Sequence, residues 1–431
     1  MGNKLFKRAV CALLVVLLML PVPFSVVNAV DDTIFLSEDF ENQTVGSAPA
    51  AGSVAGGGFT QIQSTVTIET DPIDNTNLVG KYLASNTISS PVGTLRPLSF
   101  ITSAGNYIQS PFVLSGKLLL GDSDPKGGNG AYANLRLRGT NQYGNSANAT
   151  GNLDIMRVYS NNRQIQTPGG TNLTRRAFYL PGEWLNFTIV FRPELRTSTP
   201  TTEDYKYYSS NCSYDLYLSG GVSTTDNGEP TPVVIKGLTA NLSALTVQYA
   251  LSALFGTATG VLAYDETATG GFAYVPLVYY DNLKAYAPGD FTMSKVGETQ
   301  DLVASETNSI TINFNHPVQT STLSASNITI TKSDLTTIPV SSITGTQGNL
   351  TEQITLNLGV GLSSNATYTI ALNTDVDTGV KDLNNSIVSN EITITTAAVE
   401  NETPIISSVT TDQGELIIQK YDENSQVDFT A

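Results

Sequence analysis

The sequence predicts an all-β protein made of two sandwiches in series, on three observations. Stretches such as Leu185–Phe191 and Ser309–Val318 alternate apolar and polar residues with period two, which sends successive side chains to opposite faces of a strand. Gly, Ser, Thr and Asn punctuate the chain about every ten residues, the turn spacing of sandwiches and barrels. No long segment carries the 3.6-residue apolar period of an amphipathic helix.

Residues 1–29 stand outside that pattern. Lys4, Lys7 and Arg8 precede the apolar run Ala9–Leu20, and Val27-Asn28-Ala29 offers small residues for cleavage. This is the make-up of a secretory signal peptide. The expectation is a secreted, extracellular protein, free or associated with a cell wall, with no membrane insertion after signal removal. Losing this segment removes three basic residues and no acidic one, leaving 19 basic against 38 acidic side chains, a net charge of −19. Such a charge disfavours nucleic acid and anionic membrane surfaces, suits solubility, and attracts divalent cations. Cys212 is the one cysteine beyond residue 29, so no disulfide forms within the chain. With no histidine near it in sequence, it reads as a half-buried strand-edge thiol.

In order, Thr33–Phe40 is an opening strand and residues 53–58 a Gly-rich loop. Polar hairpins at 121–130 and 140–152 flank a strand at Ala131–Arg138. In the next strand Leu185, Phe187, Ile189 and Phe191 share one side, with Trp184, Asn186, Thr188 and Val190 on the other. After a Thr- and Pro-rich excursion at 196–204, Tyr214, Leu216 and Leu218 oppose Asp215 and Tyr217, and Gly220-Gly221 ends the run. Further strands are expected at 233–238, 244–254, 260–265 and 275–286.

The Trp184 strand, the Tyr214–Gly221 run, the closing Tyr280-Asp281-Asn282-Leu283-Lys284-Ala285-Tyr286 and the early Glu38-Asp39-Phe40-Glu41 occur in a telling order. With them, residues 30–289 resemble a concanavalin A-like, laminin G-like jelly-roll domain. That resemblance implies a jelly-roll β-sandwich whose first and last strands pair, with Trp184 as a structural core tryptophan. It also implies a structural Ca²⁺ beside those strands, with Glu38, Asp39 and Asp281 at the matching positions and hard oxygen ligands as the ion requires. The plainer reading of Asp281 is a hairpin cap.

Composition changes at Pro288–Thr299. Beyond it, strands alternate cleanly at 309–318, 327–331, 353–358, 367–372 and 392–396, an immunoglobulin-sized set. With Thr322-Leu323-Ser324-Ala325-Ser326-Asn327 and Gly379-Val380-Lys381-Asp382-Leu383-Asn384-Asn385, residues 296–397 resemble the Ig-like domain named after the S-layer protein SbsA. This implies a bacterial surface or secreted multidomain protein with the domain as a spacer. Asn384 stands where that family often has glycine, and is expected to accept left-handed backbone geometry. Residues 398–431 read as a tail or an incomplete further module, too short to bury a core of their own.

Catalytic signatures are sparse, and no catalytic or cofactor-binding residue is assigned. The jelly roll's retaining glucanases set carboxylates two apart on one strand, and no Glu-x-Asp-x-Glu triplet occurs. Asp39 and Glu41 share a face without a third acid. Arg192-Pro193-Glu194-Leu195-Arg196 matches the arginine strand of alginate-lyase-like jelly rolls on paper. Pro193 nevertheless marks an edge or strand end, and a solvated charge cluster is the simpler reading. His316 is the only histidine; alone in an Asn-His-Pro strand end it reads as a surface residue, and it leaves nothing for a Ser-His-Asp apparatus. Carbohydrate binding needs flat aromatic rings beside amides and carboxylates. Tyr132, Tyr143, Tyr159, Tyr207, Tyr208 and Tyr279 are candidate platforms, each with packing as its ordinary alternative role. The leading function is therefore a non-catalytic module binding a polysaccharide or cell-wall glycan, or mediating adhesion. A polysaccharide hydrolase or lyase, and a structural cell-wall or S-layer spacer, are the alternatives. Oligomeric state is not legible.

Overall fold

The computed structural model describes residues 30–50, 59–62, 66–83, 94–97, 111–120, 132–140, 152–159, 162–169, 172–194, 212–239, 250–258, 277–296, 302–303, 307–346, 348–397, 409–412, 415–418, 420–422 and 425–427. The signal segment, the loop at 53–58, the excursion at 196–204 and the strand at 260–265 lie outside the described residues, as do the hairpin at 121–130 and nearly all of that at 140–152.

Among the described residues the first sandwich comprises β1 (Thr33–Glu38), β2 (Phe59–Ile62), β3 (Val66–Thr70), β4 (Leu78–Leu83), β5 (Thr94–Pro97), β6 (Phe112–Leu120), β7 (Tyr132–Thr140) and β8 (Asn152–Tyr159), then β9 (Gln164–Gly169), β10 (Asn172–Tyr179), β11 (Leu185–Arg192), β12 (Ser213–Gly220), β13 (Val222–Ser223), β14 (Val233–Thr239), β15 (Ala250–Ala258) and β16 (Leu277–Ala287). Sheet A runs β14-β12-β11-β6-β16-β4-β3, with β1 also paired to β16; sheet B runs β13-β10-β9-β8-β7-β15-β5-β2. First and last strands pair antiparallel, from Thr33 opposite Ala287 to Glu38 opposite Leu283, as the jelly-roll resemblance implies.

Period-two alternation fills the space between the sheets. Leu185, Phe187, Ile189 and Phe191 of β11 and Tyr214, Leu216 and Leu218 of β12 share one core with Leu135, Ile155, Val158 and Ile165 of sheet B. Burying such side chains contributes roughly 1.5–3 kcal/mol each. Phe191 stacks between Phe112 at 5.1 Å and Tyr214 at 6.0 Å. The Tyr214 hydroxyl crosses the sandwich to donate to the Ile155 carbonyl at 2.8 Å. In β16 a bulge between Asp281 and Lys284 resets the alternation. Val278 and Tyr280 before it and Leu283 and Ala285 after it therefore all reach the core. Asn282 takes φ +49° there, a conformation asparagine tolerates. Asp281 thus sits in a bulge and does not cap a hairpin. Trp184 is half-buried and packs against the core edge, and Cys212 is fully buried rather than half-buried. Arg192 ends β11 and pairs with Asp215 at 2.8 Å, so Pro193 falls just beyond the strand end.

The second sandwich comprises β17 (Met293–Lys295), β18 (Leu302–Val303), β19 (Ser309–Gln319), β20 (Ile328–Lys332), β21 (Thr337–Ile338), β22 (Val340–Thr344), β23 (Leu350–Leu358), β24 (Thr367–Leu372) and β25 (Ile392–Thr396). Its sheets run β17-β19-β23-β22 and β18-β25-β24-β20-β21. Because β17 pairs with Ile312–Phe314, this sandwich begins a few residues before Val296. Ile310, Ile312, Phe314, Ile330, Ile354, Leu356, Tyr368, Ile370 and Ile394 fill its core. The left-handed residue of the Lys381–Asn385 motif is Asn385, at φ +66°, and not Asn384. Residues 409–427 form two short hairpins, β26 (Val409–Asp412) with β27 (Glu415–Ile418) and β28 (Lys420–Asp422) with β29 (Ser425–Val427).

The two sandwiches meet on the outer face of sheet A. Val113, Val190, Tyr217 and Tyr286 form a buried cluster with Leu383 of the second sandwich. Beside it lies His316, which corrects the surface expectation, because it is wholly buried. Its Nε2 meets Asp32 Oδ1 at 2.7 Å and its Nδ1 meets Asp382 Oδ2 at 3.0 Å. His316 continues the inward series Ile310, Ile312, Phe314 on β19, so strand parity carries it into the interface.

Candidate functional site

The acidic cluster expected to hold calcium is occupied with backbone chemistry. Glu38 Oε1 accepts the Phe40 N–H at 2.7 Å, Asp39 Oδ1 accepts that of Glu41 at 3.2 Å, and Glu41 Oε1 accepts that of Leu78 at 2.9 Å. The first of these holds Phe40 at φ +63°, so that its ring drops over Gly80 and stacks on Phe59. Asp281, 1% exposed, accepts from the Asn282 N–H at 2.7 Å, Asn77 Nδ2 at 3.3 Å and Lys117 Nζ at 3.5 Å. Burial pushes its carboxyl above the usual range, against the pull of those donors. Among the described residues no group of three or more His, Cys, Asp or Glu side chains is arranged to hold a metal ion. A cation needs converging oxygens; here an ammonium and an amide occupy that role beside Asp281, and the donor set does not fit Ca²⁺. Asp71 extends the same network, accepting from Trp184 Nε1 at 3.1 Å, Asn77 Nδ2 at 3.1 Å and the Ile73 N–H at 2.8 Å.

The other place where chemistry-bearing residues gather is the face of sheet B turned away from the core. Register aligns Arg175 with Gln166, Gln166 with Arg157, Arg157 with Asn134, and Asn134 with Gly256. This is one rung across five strands, roughly 19 Å long at about 4.8 Å per strand. A flanking rung places Phe178 beside Gln164, and Tyr159 beside Tyr132. Further along β7 the backbone register sets Arg136 opposite Asp154 and Arg138 opposite Asn152. Arg175 is exposed and lies 5.1 Å from the centre of the Phe178 ring. Arg157 Nη1 donates to the Tyr159 hydroxyl at 3.2 Å, and Gln166 Nε2 to Gln164 Oε1 at 2.7 Å. Arg176, displaced by the bulge in β10, turns to donate from Nε to the buried Thr167 hydroxyl at 2.8 Å.

Of the candidate tyrosines, Tyr159 lies on this face, and Tyr132 is its register partner on β7. Tyr279 lies on sheet A, where burial and then Glu69 and Asp71 raise its hydroxyl above the ordinary value. Tyr143, Tyr207 and Tyr208 lie outside the described residues. Sequence reasoning missed the arginines, although a signal was present. All ten arginines of the chain fall within its first 196 residues, and six of them fall on strands of sheet B.

Residues 292–396 match the family described as a bacterial Ig-like domain. No curated protein matches the chain. Among solved structures, the chain is similar to an endo-1,3-β-glucanase from Streptomyces sioyaensis at 14% identity, covering 62% of this chain and 98% of that one, with a TM-score of 0.33. It is similar to arcelin-5, a lectin-like defense protein from Phaseolus vulgaris, at 11% identity, covering 52% and 91%, with a TM-score of 0.27. The N-terminal part of the bacterial S-layer protein SbsC matches at 19% identity, covering 32% and 33%, with a TM-score of 0.20. Likenesses this distant carry no functional argument.

Proposed function

We propose that the chain is an extracellular bacterial protein that binds polysaccharide on the outer face of sheet B, with the Ig-like domain as a spacer. The observation that supports this reading is the Arg175–Gln166–Arg157 rung flanked by Phe178, Gln164 and Tyr159. Sugar recognition combines ring faces for apolar contact with amides and charged donors for hydroxyl groups, and this face supplies both in one register. Binding is favoured over hydrolysis because glycoside hydrolysis ordinarily uses two carboxylates flanking the scissile bond. The strands of sheet B carry one acidic residue, Asp154. The secretory segment and the Ig-like match support placement outside the cell, as a surface or adhesion component. The interdomain contact through Leu383 and His316 would hold the binding face at a set angle to the spacer.

The test is affinity electrophoresis of the full chain through gels containing laminarin, xylan or polygalacturonate, with the products examined for shorter chains. Retardation without cleavage, relieved by Tyr159→Ala or Gln166→Ala, is the expected result. Free migration in all three gels counts against the reading, and chain shortening moves it to the enzyme alternative.

A further inference from the structure

A cavity of about 190 Å³, partly open to solvent, lies between the two sandwiches and shares Tyr217 and Leu350 with the Leu383 cluster. We propose that it is a binding site for a single uncharged hydroxylated ring, a neutral sugar or cyclic polyol, gripped by both domains at once. The site is separate from the outer face of sheet B and independent of what that face binds.

Strand parity builds one wall. With Leu185 and Phe187 in the core, Asn186 and Thr188 of β11 point to the outer face of sheet A, opposite Ser219 and Tyr217 of β12. The other wall is the start of β23. Thr320 pins it from both ends, giving its N–H to the Asn349 carbonyl at 3.1 Å and its hydroxyl to the Gly348 carbonyl at 3.1 Å. Gly348 takes φ +66° and lies against sheet A, where a Cβ would meet Pro232 Cγ at 3.6 Å and Ser219 Cβ at 3.7 Å. Glu352 stands where the β19–β23 register shifts, between Thr351 opposite Val318 and Gln353 opposite Asn313, and its side chain borders the cavity. Both walls are therefore fixed by packing and backbone hydrogen bonds.

The polar groups that face the cavity define the ligand. The Tyr217 hydroxyl is spent on the Leu383 carbonyl at 3.5 Å and that of Thr351 on the Gln353 carbonyl at 2.7 Å. The side chains of Asn186, Thr188, Ser219, Asn349 and Glu352 have no hydrogen-bond or ion-pair partner among the described residues. All but Glu352 are half-buried. Two carboxamides that both donate and accept, two hydroxyls and one carboxylate acceptor complement a ring bearing several hydroxyl groups. Pro317 and Leu350 offer apolar surface for its C–H face. No Lys, Arg or His lines the cavity, so a phosphate or carboxylate would lack a cationic partner and meet Glu352. A single carboxylate falls far short of the oxygen shell that Ca²⁺ requires. The volume lies below the roughly 300–1,000 Å³ of sites for drug-sized ligands, which fits one ring and excludes a length of chain.

The test titrates the full chain with D-glucose, D-galactose, D-mannose and N-acetyl-D-glucosamine, each beside its methyl glycoside, and with D-glucuronate. Saturation-transfer spectra give affinity and hydrogen exchange gives place. At least one neutral sugar should bind in the millimolar range or tighter, and about tenfold or more tighter than D-glucuronate. It should slow exchange on both walls, at 186–188 and 217–219 and at 349–352. Asn186→Ala and Glu352→Gln should each weaken binding about tenfold. If Asn186→Ala lowers the thermal midpoint, Glu352→Gln at its exposed position carries the test alone. A methyl glycoside bound as well as its parent assigns the cavity to the end unit of a glycan, and its rejection assigns a free sugar; both support the site. Binding of none of these sugars, or binding unchanged in Glu352→Gln, overturns it. Equal affinity for D-glucuronate overturns the uncharged class, and protection on one wall alone overturns the grip by both domains. Retardation in polysaccharide gels should respond to neither substitution, so the sheet B reading and this one fail separately.

Discussion

His316 joins two carboxylates from opposite sides of a domain boundary, Asp32 at the entrance of the jelly roll and Asp382 in the Ig-like domain. The ring lies flat against Phe291, 6.2 Å away at 18°. Burial alone would favour the neutral imidazole, but the two carboxylates outweigh it and lift His316 to about 9. Asp32, burial notwithstanding, is held below its ordinary value by His316 and by the Gly289 N–H. Both groups are therefore charged at neutral pH, and both ring nitrogens donate.

Removing the imidazolium leaves the buried Asp382 carboxylate and the half-buried Asp32 carboxylate without their shared partner. His316→Ala should cost about 3–5 kcal/mol and split calorimetric unfolding into two transitions, one per sandwich. A single transition at the wild-type midpoint would show that the pair contributes nothing to domain coupling.

The same pair sets a pH dependence whose sign follows from linkage. His316 has a raised folded-state value, so its contribution is complete below pH 6.5 and disappears as pH rises through about 9. Asp32 has a lowered one, so its share is present above 3.8 and is lost on acidification. Stability should decline by up to about 3 kcal/mol between pH 6.5 and 9, and the decline should vanish in His316→Gln. Urea titrations at fixed pH across that range measure it.

Trp184 is the chain's only tryptophan, so its fluorescence reports its own anchor. Asp71→Ala removes the acceptor for Trp184 Nε1, for Asn77 and for the Ile73 N–H. The expected results are a red-shifted emission and a loss of about 1–3 kcal/mol. An unchanged spectrum would show the indole fixed by packing alone.

The bulge in β16 makes Gly116 a further sensitive position. A Cβ there would sit 2.7 Å from Leu283 Cδ2 and 3.1 Å from Phe187 Cζ. Gly116→Ala should cost about 1–3 kcal/mol by overpacking, read as a lower urea midpoint with an unchanged slope.

Calcium separates the family resemblance from the side chains present. An ion bound at a hundred times its dissociation constant adds about 2.7 kcal/mol, which would raise the midpoint by roughly 5–10 °C. With Glu38, Asp39 and Glu41 bound to backbone amides and Asp281 facing Lys117, added calcium and added chelator should leave the midpoint where it is. A rise of that size with calcium would restore Glu38, Asp39 and Asp281 as ligands.

The strand alternation of Leu185–Phe191, Tyr214–Leu218 and Ser309–Val318 was legible because burial on one face imposes a local period. His316 was harder, since its partners lie 284 and 66 residues away; its parity with Ile312 and Phe314 was the available cue. The rung from Arg175 to Asn134 depends on the pairing register among four strands, which the alternation within any one of them does not reveal. The bulge at Asp281–Lys284 defeated simple alternation for the same reason, since one extra residue exchanges the two faces.

The central claim is that ligand lies across β7 to β10. Hydrogen exchange of the full chain with and without polygalacturonate measures this directly. Slowed exchange confined to β7, β8, β9 and β10, lost in Arg157→Gln, is the result the account predicts. Protection on sheet A or on the Ig-like domain, with sheet B unchanged, would contradict it.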